Sequence, residues 1–204
     1  MKYIKIYSFL FFLVFSLAQA QEETITDKNK PFSVGLHYTG NFRNDNIISD
    51  SYNGIAGLDA RYTIISGEFL NFQTGFSIDY LKGRDFKQKS SIEYNSAWFF
   101  NPNVGVEFNI KNSGFKPFFN LGYNLINYSY TIYGSDFTLF DPSDPAFTGM
   151  KQNKSNENKS SISLQPGARF YFKNKIYLET SYRFLPIENN VNIHLFNLGL
   201  GVNF

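Results

Sequence analysis

The last fifteen residues constrain the fold more than any other stretch. From His194 the even positions read His194, Phe196, Leu198, Leu200, Val202 and Phe204, while Asn197, Gly199, Gly201 and Asn203 fall between them. A period of two is the signature of a strand with one apolar and one small, polar face. The pattern runs to a terminal aromatic residue, whereas chain ends ordinarily fray. A strand that closes a barrel against the first strand would be held to its last residue.

Seven more segments alternate in the same way, at about 32–40, 52–64, 69–81, 98–110, 115–131, 161–172 and 176–185. Most reach the ~9–11 residues that a tilted membrane strand requires. Short links (65–68, 111–114, 173–175) alternate with mostly longer ones (41–51, 82–97, 132–160, and a shorter 186–191). Short turns at one rim and long loops at the other are the asymmetry of a transmembrane barrel, and an even strand count puts both termini at the short-turn rim. The expected fold is all-β: an eight-stranded antiparallel transmembrane β-barrel, with short periplasmic turns and longer extracellular loops.

The beginning of the chain reads as a targeting segment. Lys2 and Lys5 precede an apolar run from Phe9 to Leu17, and Ala18-Gln19-Ala20 is a small-residue cleavage site. Residues 1–20 are therefore expected to be a cleaved signal peptide, 21–31 a polar periplasmic lead-in, and 32–204 the barrel. Without Lys2 and Lys5, 17 of the 19 basic residues remain against 17 acidic ones, so the expected mature chain is formally neutral. That balance gives no nucleic-acid footprint. The chain has no cysteine, which excludes disulfides, thiolate nucleophiles and thiolate metal sites. Mean hydropathy is slightly negative although aromatics make up 19% of the residues. A barrel reconciles the two, because every second residue points away from lipid.

Parity assigns the faces. The Phe, Leu, Ile and Tyr face is too bulky for a narrow interior and is placed against lipid, leaving the Gly-, Asn- and Ser-rich face in the lumen. Asp59, Arg61, Asp79, Glu107, Arg169, Glu179 and Arg183 then form a polar network inside the barrel. Charges there must pair or reach water, because an isolated buried ion costs several kcal/mol. Phe172 and Ile176 both face lipid, which implies an odd turn length, most simply three residues. Counting back from it sets Arg169 opposite Glu179 and Gln165 opposite Arg183.

With the strands placed, the chain resembles the small eight-stranded outer-membrane barrels of the OmpA/OmpX type, and the outer-membrane β-barrel domain family whose members are often labelled porin-like or PorT-like. The terminal Leu198-Gly-Leu-Gly-Val-Asn-Phe204 carries the most specific likeness. The resemblance implies that Leu198, Leu200, Val202 and Phe204 form the signal read by the barrel assembly machinery. It implies localisation in the bacterial outer membrane, with outer-membrane lipid as a partner. It implies no single activity, since members serve as adhesins, stability factors, secretion accessories or lipid-modifying enzymes. No cell-wall-binding domain is expected after the barrel.

Neither catalysis nor a cofactor is expected. His37 falls on the lumen face and His194 on the outward face, where a lipid-directed base would sit, but no nucleophile turn accompanies either. The segment 132–160 is the candidate partner-binding loop, with Phe137, Phe140 and Phe147 as exposed aromatic anchors for an extracellular or envelope protein. Asp136, Asp141 and Asp144 there have the chemistry of calcium ligands, but Asp-Pro pairs are also ordinary turn starters, and no metal site is assigned. The expected role is structural or surface-interactive. A narrow porin-like pore is the second reading and a lipid-modifying enzyme the third.

Overall fold

The computed structural model describes residues 31–42, 50–84, 92–111, 113–134, 151–172, 175–187 and 191–204. The expected signal peptide and nearly all of the lead-in lie outside them, as do Phe137, Phe140 and Phe147. Eight strands follow in order: β1 (Phe32–Asn41), β2 (Tyr52–Ser66), β3 (Leu70–Gly83), β4 (Ile92–Phe108), β5 (Phe115–Gly134), β6 (Lys151–Phe172), β7 (Ile176–Ile187) and β8 (Val191–Asn203). Each pairs antiparallel with the next, and β8 closes the barrel on β1. Closure leaves no sheet edge inside the membrane, where an unpaired backbone group would cost several kcal/mol.

The closing seam is continuous from Ser33↔Asn203 to Asn41↔Leu195. Phe204 donates its backbone N–H to the carbonyl of Phe32 at 2.7 Å, and the two rings lie 6.3 Å apart. This is how a terminal strand avoids fraying. The β6–β7 hairpin pairs Phe172 with Ile176 around three turn residues.

The outward face is the apolar one. Leu58, Phe76, Val104, Leu121, Ile162, Leu178, Leu198 and Leu200 all stand exposed on the barrel wall. Val202 is the exception, buried although it points outward. Replacing inward Gly201 by Ala would set its Cβ 2.0 Å from the Tyr177 ring. Gly201→Ala is expected to destabilise by about 1–3 kcal/mol through overpacking, read from denaturant unfolding in lipid vesicles.

Two features depart from the sequence reading. First, the lumen is not polar throughout. At the rim opposite the short turns Tyr52, Leu81, Ala97, Phe99, Ile126, Tyr128, Leu185, Ile187, Ile193 and Leu195 form a buried apolar plug, with Tyr94 and Tyr130 packed against it. Tyr52 reaches this position through a bulge between Gly54 and Ala56, which reverses the alternation at the start of β2. Its hydroxyl donates to the carbonyl of Ser129 at 3.0 Å, spanning the barrel mouth from β2 to β5.

Second, residues 151–160, read as the polar half of a loop, are strand. The β5–β6 ladder continues from Asn124↔Ser161 to Gly134↔Lys151, about 30 Å of chain at ~3.3 Å per residue. β4 begins earlier than expected and pairs with β5 from Ile92↔Ile132. The β6–β7 register, by contrast, reaches up only to Leu164↔Phe184. The upper parts of β4, β5 and β6 therefore stand as a three-stranded sheet beyond the β7–β8 side of the rim. Glu157 ties its strands together, accepting hydrogen bonds from the hydroxyls of Tyr128 and Tyr130. Those bonds, that from Tyr128 foremost, hold its carboxyl below the usual range. Asn127 Nδ2 donates to Asn158 Oδ1 at 2.7 Å on the opposite face.

Candidate functional site

The seven charged residues assigned to the lumen all point inward, and the structure joins them into one chain of contacts. Arg183 Nη1 lies 2.6 Å from Asp79 Oδ2. Asp79 Oδ1 lies 2.6 Å from His37 Nε2 and accepts from Thr39 Oγ1 at 2.6 Å. His37 Nδ1 faces Asp59 at 3.5 Å, and Asp59 faces Arg61 Nε at 3.5 Å. Arg61 Nη1 reaches Glu179 at 2.5 Å, and Arg169 Nε reaches the same Glu179 oxygen at 2.8 Å. Arg169 Nη1 continues to Glu107 at 2.7 Å and to the amide oxygen of Gln73 at 3.0 Å. Glu107 also accepts from the Tyr171 hydroxyl at 2.8 Å and faces Lys116 at 3.7 Å.

Most of these contacts cross the lumen. They join β7 to β3, β2 to β7, and β6 to β4, so the charges brace opposite walls as well as neighbouring strands. Three guanidinium groups face four carboxylates, with His37 and Lys116 as the further basic partners. The aromatic rings take part too: the guanidinium carbon of Arg169 sits 3.8 Å above Phe118, and that of Arg61 4.7 Å above Tyr177. The polar interior retains a cavity of about 10 Å³, room for about one water.

Arg169 and Glu179 are opposite each other in the β6–β7 ladder, and Gln165 hydrogen-bonds Ser181 at 2.9 Å. Besides Gln73, Lys116 and Tyr171, the sequence reading left His37 out of the network. Its signal lay in the neighbours: His37 is flanked in the ladder by Gly57 and Gly199. A Cβ at Gly57 would come within 2.3 Å of the imidazole. Two glycines facing one large polar residue in a narrow barrel mark the space it fills.

His194 is on the outer wall as expected. Its Nδ1 is hydrogen-bonded to the Tyr182 hydroxyl, and its ring packs 5.3 Å from Phe184. Among the described residues, no group of three or more His, Asp or Glu side chains is arranged to hold a metal ion.

The family model for the outer membrane protein β-barrel domain matches residues 7–204. The chain belongs to that family. This outer-membrane barrel also superposes on the attachment invasion locus protein Ail of Yersinia pestis, with a TM-score of 0.56 and 16% identity, covering 85% of this chain and 97% of that one. Ail in complex with the heparin analogue sucrose octasulfate gives a TM-score of 0.55 at 17% identity, with 85% and 97% covered. The backbone structure of Ail in a phospholipid bilayer nanodisc gives 0.50 at 15% identity, with 85% and 99% covered. These likenesses establish the fold. No curated protein matches the chain. The barrel is a bacterial outer-membrane protein with its short turns periplasmic. The plug and the projecting sheet therefore lie at the extracellular end.

Proposed function

We propose that this outer-membrane barrel is a non-conducting scaffold that presents the β4–β6 sheet outside the cell for binding to an extracellular or envelope protein. The observation that carries the reading is the projecting sheet above a filled lumen. An eight-stranded interior is just wide enough for side chains to fill it. Among the described residues an apolar plug covers a cross-braced ionic layer, which supports a closed lumen. β6 beyond Ser161 has β5 as its one ladder partner among the described residues, and exposed Lys154 and Lys159 keep that edge soluble. An extended segment of a partner would add to it by strand pairing.

His194 is hydrogen-bonded to the Tyr182 hydroxyl and packs on Phe184, which supports an interfacial packing role for it. The same reading assigns Leu198, Leu200, Val202 and Phe204 to recognition by the barrel assembly machinery, with Phe204 also closing the seam. Deleting Phe204 is expected to reduce insertion in cells more than it reduces the stability of protein refolded in detergent.

Two measurements test the function. The purified barrel in planar bilayers is expected to show no conductance steps; steady ion-sized steps would favour the pore. Cells displaying the full chain are expected to adhere to surfaces coated with matrix or serum proteins. A variant in which Tyr130 is joined to Ser155 through an Asn-Gly turn is expected not to adhere. Equal adherence by both would remove the hairpin from the function.

A further inference from the structure

The outer wall carries a second concave feature, separate from the lumen. A trough of about 650 Å³ is lined by Trp98, Phe100, Leu125, Ile126, Asn127, Asn158 and Lys159, a volume in the range of small-molecule sites. One wall is an aromatic ridge. Trp98 and Phe100 stack with centroids 6.5 Å apart, and Tyr80 backs Trp98 at 4.8 Å. The opposite side is open because Leu125 pairs across the ladder with Ser160, whose side chain is too small to fill the space.

The trough straddles the boundary between lipid and water. Below it the outward column of β5 reads Phe119, Leu121, Tyr123 and Leu125, all exposed apolar side chains. At Asn127 the column turns polar, and on β6 the change falls between Ile162 and Asn158. The feature is thus continuous with the lipid-facing surface at its lower end and with water at its upper end, on the side of the outer leaflet. The Asn127–Asn158 hydrogen bond uses one donor and one acceptor. That leaves the Asn158 amide N–H groups and the Asn127 carbonyl oxygen for other partners, so the pair can both donate and accept.

We propose that this trough binds an outer-leaflet glycolipid, one acyl chain lying against Trp98, Phe100 and Leu125 and the amide- and hydroxyl-bearing sugar head held by Asn127 and Asn158. A phosphocholine head offers acceptors but no donors and matches only half of the amide pair.

Trp98 is the chain's one tryptophan, so its emission reports this trough alone. The full chain is refolded into vesicles of brominated phosphatidylcholine, which quenches Trp98, and lipid A is then added. Displacement of brominated chains from the trough is expected to restore emission in a saturable way, at a few mole per cent of lipid A. Asn158→Ala is expected to weaken the apparent affinity about tenfold, the size of one net hydrogen bond. Leu125→Phe, which fills the trough, is expected to abolish saturation while keeping a heat-modifiable, folded band on unboiled gels. Unbrominated phosphatidylcholine, whose head has no donor, is expected to restore emission only in proportion to dilution. Three results would overturn the proposal. One is recovery that tracks dilution for lipid A as well. Another is equal saturation by unbrominated phosphatidylcholine. The third is recovery that rises with protein density in the absence of lipid A, which would place a second copy of the chain over the trough.

Discussion

Replacing Arg169 by methionine is expected to destabilise the folded barrel by about 3–5 kcal/mol, the cost of stranding buried charge. Arg169 is buried and bonds Glu179, Glu107 and Gln73. Methionine fills comparable volume and keeps contact with Phe118, so little of the loss is packing. The loss comes from Glu107 and Glu179, which keep weaker or shared partners in a layer that has room for about one water. The measurement is denaturant unfolding from lipid vesicles, followed by Trp98 emission and gel mobility. Arg169→Met combined with Glu179→Gln is expected to cost less than the sum of the two single changes, because the double variant strands one carboxylate fewer. A loss below about 1 kcal/mol for Arg169→Met would mean that water reaches the network freely, as it does around surface pairs.

Leu198→Arg carries the second large effect, about 2–4 kcal/mol for a cation near the bilayer midplane. Leu198 stands exposed on the outer wall between Tyr38 of β1 and Thr180 of β7. It lies midway along a strand that runs from the periplasmic Asn203 to the extracellular Val191. Asn156→Arg, on the projecting part of β6, is expected to change stability by less than ~0.5 kcal/mol, as exposed substitutions do. The difference reports depth in the membrane, with the same residue introduced at both sites. Equal penalties at the two positions would contradict the assignment of the outward face to lipid.

Much of this architecture is legible in the sequence because the membrane enforces a two-residue period. Wherever one face meets lipid and the other a small polar lumen, as from Phe32 to Tyr38 or His194 to Phe204, alternation identifies both strand and face. The turn of three residues between Phe172 and Ile176 fixes register, and register then places Arg169 against Glu179.

The signal fails where the two faces cease to differ. In the plug, inward Leu81, Phe99, Ile126, Leu185 and Ile193 are as apolar as the lipid-facing residues beside them. The alternation fades, and the inner surface there was expected to stay polar. In residues 151–160 both faces meet water, so Lys, Asn and Ser occupy every position and the strand reads as loop. What holds it is pairing with β5 and the Tyr128 and Tyr130 bonds to Glu157, neither of which leaves a periodic trace. Tyr52 escapes because a bulge shifts its parity, which no local pattern reveals. The trough beside Trp98 depends on a small Ser160 standing across from Leu125, a relation visible only once β5 and β6 are in register.

Single cysteines distinguish a filled barrel bearing an extracellular sheet from an open one, because the chain contains no other thiol. Asn156→Cys on the projecting sheet and Ser181→Cys in the buried lumen are each expressed in outer membranes. Intact cells are then exposed to a small membrane-impermeant maleimide. Rapid labelling at 156 and protection at 181 are expected, with both sites labelled after unfolding in denaturant. Comparable labelling of 181 on intact cells would mean an open aqueous lumen, and protection of 156 would mean that the sheet does not face the outside.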